Sequence, residues 1–75
     1  MPGHRAQEVL AANLHRLTFE KGITFEDVAR AAGITLEHLQ AICAGEVDPD
    51  LDLVDRIAQA VGVTSSELIA EPKYN

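Results

Sequence analysis

A chain of 75 residues, 47% hydrophobic and 4% aromatic, makes one small domain whose core must come from Leu, Ile, Val and Ala. Its single cysteine, Cys43, excludes an internal disulfide and fits a reducing cytoplasm, and no apolar run approaches the ~20 residues that span a bilayer. Twelve acids against six bases give a net charge of −6, the wrong sign for binding a phosphate polymer unless a local basic patch offsets it.

The opening Met1-Pro2-Gly3-His4-Arg5 is too polar for a signal peptide, and positions 1–6 read as a flexible N-terminus. Leu10, Leu14 and Leu17 then recur at four- and three-residue spacing, which predicts a helix over 7–21 with one buried stripe. Thr24 followed three residues later by Asp27 is a capping-box start for a second helix over 25–32, burying Val28 and Ala29. Gly33 stops it and Thr35 caps a third helix over 36–44, with Leu39 and Ile42 inward. Pro49 and Asp50 open a fourth helix, whose Leu51, Val54, Ile57, Ala58 and Val61 line one face. Thr64 and Glu67 form a second capping box, starting a short fifth helix with Leu68 and Ile69 that Pro72 closes. Gly22, Gly33, Gly45 and Gly62 each follow an apolar-periodic segment, where a left-handed residue ends a helix. The chain is therefore all-α, with a domain over 7–70 and a short tail over 71–75.

The second and third helices are joined too tightly to lie antiparallel, so they must cross steeply. That is the geometry of a helix-turn-helix, here over about 24–45, whose second helix can enter a DNA major groove. The segments Lys21-Gly22-Ile23-Thr24, Glu26-Asp27-Val28-Ala29 and Ala32-Gly33-Ile34-Thr35 follow one another in a familiar order. With Ala44-Gly45, Pro49, Leu51, Ile57-Ala58, Ala60-Val61-Gly62-Val63 and Glu67-Leu68, the chain resembles the Cro/cI-repressor-like, or XRE, family.

That resemblance implies a five-helix, lambda-repressor-like fold and a small transcriptional regulator that binds double-stranded DNA through its third helix, as a dimer. Carried over position by position, Thr35 caps that helix while Leu36, Glu37, His38, Gln40 and Ala41 face the bases. Arg16, Lys21 and the start of the second helix, Thr24 and Phe25, would meet phosphates. The match is closer in the scaffold than at these positions. Where the family commonly has a phosphate-reaching Gln, this chain has Phe25; where it has polar base readers, Leu36, Glu37 and Ala41 stand; the loop after helix three offers Ala44, Glu46, Val47 and Asp48. A frequent buried Arg–Glu pair is replaced at both ends, by Thr18 and Cys43, and a double neutral replacement can be harmless where a single one costs ~3–5 kcal/mol.

The candidate cations Arg16, Lys21 and Arg30, with His15 and His38 when protonated, face nearly equal opposition from Glu46, Asp48, Asp50, Asp52 and Asp55. Tight operator binding by one copy is therefore not expected. The alternative is a repressor-like scaffold that has lost ordinary DNA binding and serves as an acidic protein–protein interaction module. It would use an apolar spot at Phe25 and Leu36, unless Phe25 folds over the turn and packs inward. A positive patch at the starts of helices two and three would mark a DNA binder; an apolar or acidic one would mark the module. Cys43 reads as a small apolar filler, and His4, His15 and His38 lack metal-ligand spacing. No nucleophile–base pair, carboxylate dyad or phosphate-cradling loop points to an enzyme or a cofactor.

Overall fold

The computed structural model describes the backbone of residues 5–70, with side chains from Gln7 onward. Among the described residues there are five helices and no strand: α1 (Arg5–Lys21), α2 (Phe25–Ala32), α3 (Leu36–Cys43), α4 (Leu51–Ala60) and α5 (Ser65–Ile69). α1 begins two residues ahead of the expected start. Residues 1–4, most of the expected N-terminal segment, lie outside the described residues, as do the tail over 71–75 and its Pro72 stop.

The expected caps are all made. Thr24 and Asp27 exchange hydrogen bonds at the start of α2, and Thr64 and Glu67 do the same at α5. Thr35 accepts from the His38 N–H and Asp50 from the Leu53 N–H, so these side chains satisfy donors that have no partner inside the helix. The four glycines have positive φ. After Gly22, Gly33 and Gly62 the next residue, Ile23, Ile34 or Val63, sends its N–H back to a carbonyl of the closing turn and its side chain onto the core. After Gly45 the same bond is made by Glu46, so the exit from α3 turns toward solvent instead.

α2 packs on α4 and α3, α1 on α5 and α3, and α4 on α5. Leu10, Leu14, Val28, Leu39, Ile42, Ile57, Val61 and Leu68 fill the centre. One expected core position fails: Leu51 is 83% exposed, and Leu53 is buried in its place. The buried stripe of α4 is centred near Ile57 and Val61. At ~100° per residue, Leu51 stands about a quarter-turn away, on the first turn, beside Pro49 and Ile69 at a shallow depression.

Two buried amides bind distant parts of the chain to α1. Asn13 Nδ2 donates to the Leu68 carbonyl at 2.7 Å and the Ala70 carbonyl at 2.9 Å, holding the end of α5. Gln7 Nε2 donates to the Val47 carbonyl and to Asp48 Oδ1, both at 2.8 Å, holding the α3–α4 loop. Removing Asn13 strands carbonyls that it now satisfies. Asn13→Ala is expected to cost ~1–3 kcal/mol and lower the melting temperature by several degrees, with amide exchange accelerating first in α5. Thermal unfolding followed by circular dichroism checks the first effect; an unchanged midpoint would show that Asn13 does not anchor α5.

Candidate nucleic-acid interface

The short connection between α2 and α3 sets the interface. Gly33 adopts φ 78°, its N–H bonding the Arg30 carbonyl, while the Ile34 N–H bonds the Ala29 carbonyl at 2.9 Å. Thr35 then starts α3 immediately. Arg56 of α4 donates to the Ala32 carbonyl at 3.3 Å, placing a cation at the negative end of α2. Its role escaped the sequence reading because the bond spans 24 residues.

Leu39 and Ile42 face the core, so Glu37, Gln40, Ala41 and Ala44 fall on the opposite side of α3. Ala41 is half-buried and the other three are exposed; His38 is half-buried. Thr24, Phe25, Leu36 and Gln40 meet at an open groove of about 620 Å³, closed on its far side by Ala11 and His15 of α1. Phe25 is half-buried, and its ring lies 4.7 Å from that of His15. It packs partly onto the core and partly across the groove, which combines the two fates open to it from sequence.

The expected phosphate cations are not brought to this groove. Arg16 bonds Asn13 Oδ1 at 3.4 Å and pairs with Glu20 at 3.5 Å, both on its own helix. Lys21 Nζ lies beside Gly62, in the α4–α5 turn. Arg30 pairs with Asp27 at 3.5 Å. The two exposed pairs add little stability. What remains for an anion is backbone: the first-turn N–H groups of Phe25, Glu26, Leu36 and Glu37 have no partner within their helices. Glu26 and Glu37 sit beside those same groups.

The chain matches the family described as a helix-turn-helix domain over residues 9–71. It is also 32% identical over 63 residues to the uncharacterized HTH-type transcriptional regulator y4dJ of Sinorhizobium fredii, covering 84% of this chain and 82% of that protein. The chain belongs to the XRE-like helix-turn-helix family of transcriptional regulators. The HTH-type transcriptional regulator DdrOP3 of Deinococcus deserti is 30% identical over 60 residues, 80% of this chain but 46% of that one. Among solved structures, a hypothetical transcription factor from Neisseria superposes with a TM-score of 0.83 at 25% identity, over 96% of this chain and 83% of its own. The restriction-modification controller protein of Aeromonas hydrophila shares the fold, with a TM-score of 0.74 at 21% identity over 83% and 94% of the two chains.

The two positions of the family's ion pair are neutral here. Buried Thr18 donates its hydroxyl to the His15 carbonyl at 3.0 Å, and desolvation raises the half-buried Cys43 thiol above its ordinary value. Asp27 is shifted the other way. The Thr24 backbone N–H, then the Thr24 side chain, hold its carboxyl below the usual range, with a smaller contribution from Arg30. A depressed folded value contributes stability that is complete above about pH 4 and is lost as pH falls through the lower folded value. A carbon-detected NMR titration should place the Asp27 midpoint below that of an aspartate in an unstructured peptide, and Asp27→Asn should remove that contribution to acid sensitivity. A midpoint at or above the peptide value would show the capping box open in solution.

Proposed function

We propose that this regulator, acting in the cytoplasm, binds duplex DNA through the outward face of α3, weakly as one copy and usefully as two. The observation that carries the reading is the placement of α3. It is anchored by Leu39 and Ile42 and set across α2 by the Gly33–Thr35 turn, with Glu37, Gln40 and Ala41 outward. A helix so presented fits a major groove. There Gln40 can pair its amide with adenine N6 and N7, Ala41 can contact a thymine methyl, and Glu37 can accept from cytosine N4. Thr24, Phe25 and Leu36 would flank the groove, the N–H ends of α2 and α3 supplying phosphate contacts.

Because these donors are neutral N–H groups rather than Lys or Arg, few counterions are released, and affinity should fall only shallowly with salt, at a log–log slope of roughly −1. Two copies on half-sites about one helical turn apart would raise it. The reading asks for no catalytic group and no cofactor. The acidic, apolar character of the groove also supports a protein-docking use of the same surface, taken up below.

Fluorescence anisotropy on a labelled mixed-sequence duplex tests the reading. Glu37→Lys, at an exposed position, replaces a repulsion by a phosphate contact and is expected to tighten binding and steepen the salt slope by about one. Gln40→Ala is expected to cost ~1–3 kcal/mol of discrimination at one A·T pair of a selected site. If neither substitution moves affinity, slope or preference, α3 is not the helix that faces DNA.

A further inference from the structure

We infer that the groove between α1, α2 and α3 is a docking site for a basic, apolar-anchored segment of a partner protein. Its volume of about 620 Å³ is of the size that buries a few side chains, and Ala11, Phe25, Leu36 and Cys43 give it largely carbon walls. Phe19 is 89% exposed and adds nothing to the core. It lies four residues after His15, one turn further along the same stripe of α1, and His15 stacks against Phe25. Both phenylalanines of the chain therefore belong to one surface, which begins in the groove and continues onto the open side of α1. Aromatic side chains held at a surface with no core to fill are the usual anchors of protein interfaces.

Charge selects the occupant. Glu26 lines the groove, Glu37 follows Leu36, and Glu8 lies one turn before Ala11 on the α1 stripe. Among the described residues no Lys or Arg lines the groove. Arg16 and Arg30 are paired with Glu20 and Asp27, and Lys21 lies beside Gly62. A second copy would bring the same carboxylates and the same net charge of −6 against this face, so like charges oppose self-docking here. A segment carrying aliphatic or aromatic anchors between Lys and Arg residues complements both the walls and the rim. Because Leu36 and Gln40 line the groove, the bound segment covers part of the face assigned to DNA and so controls its access. That exclusion rests on the DNA reading above; the docking does not.

The probe is a synthetic amphipathic peptide with leucine at i, i+3, i+4 and i+7 and lysine elsewhere, compared with the same peptide carrying glutamate for lysine. Both are titrated into the full 15N-labelled chain. The lysine peptide should shift Ala11, His15, Phe19, Phe25, Leu36 and Gln40, and the glutamate peptide should not. Phe19→Ser removes a side chain with no core contact and should weaken the lysine peptide by about tenfold or more. Glu26→Lys, also at an exposed position, should act in the same direction. Equal binding of both peptides, shifts centred on the acids of α4, or indifference to Phe19→Ser would overturn the proposal. A duplex titration of the same samples separates the two readings. DNA binding without peptide binding removes the docking site alone, and peptide binding without DNA binding removes the DNA reading alone. Where both bind, the peptide must displace the duplex.

Discussion

The structure depends on the way α2 is closed and α3 opened within three residues. Gly33 takes a left-handed conformation that costs an L-residue ~1–2 kcal/mol, which lets the Ile34 N–H reach back to the Ala29 carbonyl. Thr35 accepts the His38 N–H at once, so no length remains for α3 to fold back along α2. The two helices must diverge, and Leu39, Ile42, Val28 and Ala32 bury what the divergence leaves inside. The groove, the outward face of α3 and the neighbouring helix N-termini all follow from that turn.

The legible parts of this fold are those written in local chemistry. A capping box joins residues three apart, and a glycine closure joins residues within one turn, so Thr24–Asp27, Thr64–Glu67 and the four glycines could be read directly. Apolar spacing likewise located the buried stripe of α1. What could not be read spans distance or depends on the edge of a packed layer. Asn13 meets residues 55 and 57 positions away, and Gln7 meets residues 40 and 41 away. Leu51 satisfies the helical period approximately but lies on a first turn with nothing over it, while Leu53 points inward. Correspondence with the family assigns Arg16 and Lys21 to phosphates; sequence does not show that Arg16 contacts Asn13 and Glu20 or that Lys21 lies beside Gly62. Phe19 gave a detectable signal, an aromatic off the leucine stripe of α1, that periodicity alone discards as surface.

Stability here is carried by atoms other than the exposed side chains of α2 and α3, so the scaffold can persist beneath an altered face. The caps, the aliphatic core and the Asn13 and Gln7 amides hold the helices without using the side chains of Glu26, Glu37, Gln40 or Ala44. Exposed substitutions away from caps and core cost little, so the face can become acidic and apolar while the fold stays intact. The neutral Thr18 and Cys43 belong to the same pattern: with both charges absent, neither position leaves a buried charge unpaired. Electrostatically, the starts of α2 and α3 carry opposed features side by side: first-turn N–H groups that suit an anion, and the Glu26 and Glu37 carboxylates beside them.

The proposal on which the functional reading turns is that the outward face of α3, rather than Arg16 and Lys21, meets DNA. Its most direct test is the amide map of the native chain titrated with mixed-sequence duplex at about 20 mM salt and again at about 200 mM. Shifts are expected at Glu37, Gln40 and Ala41 and at the first-turn amides of Phe25 and Leu36, fading at the higher salt. Shifts clustered around Arg16, Lys21 and Arg56, or none at the lower salt, would contradict it.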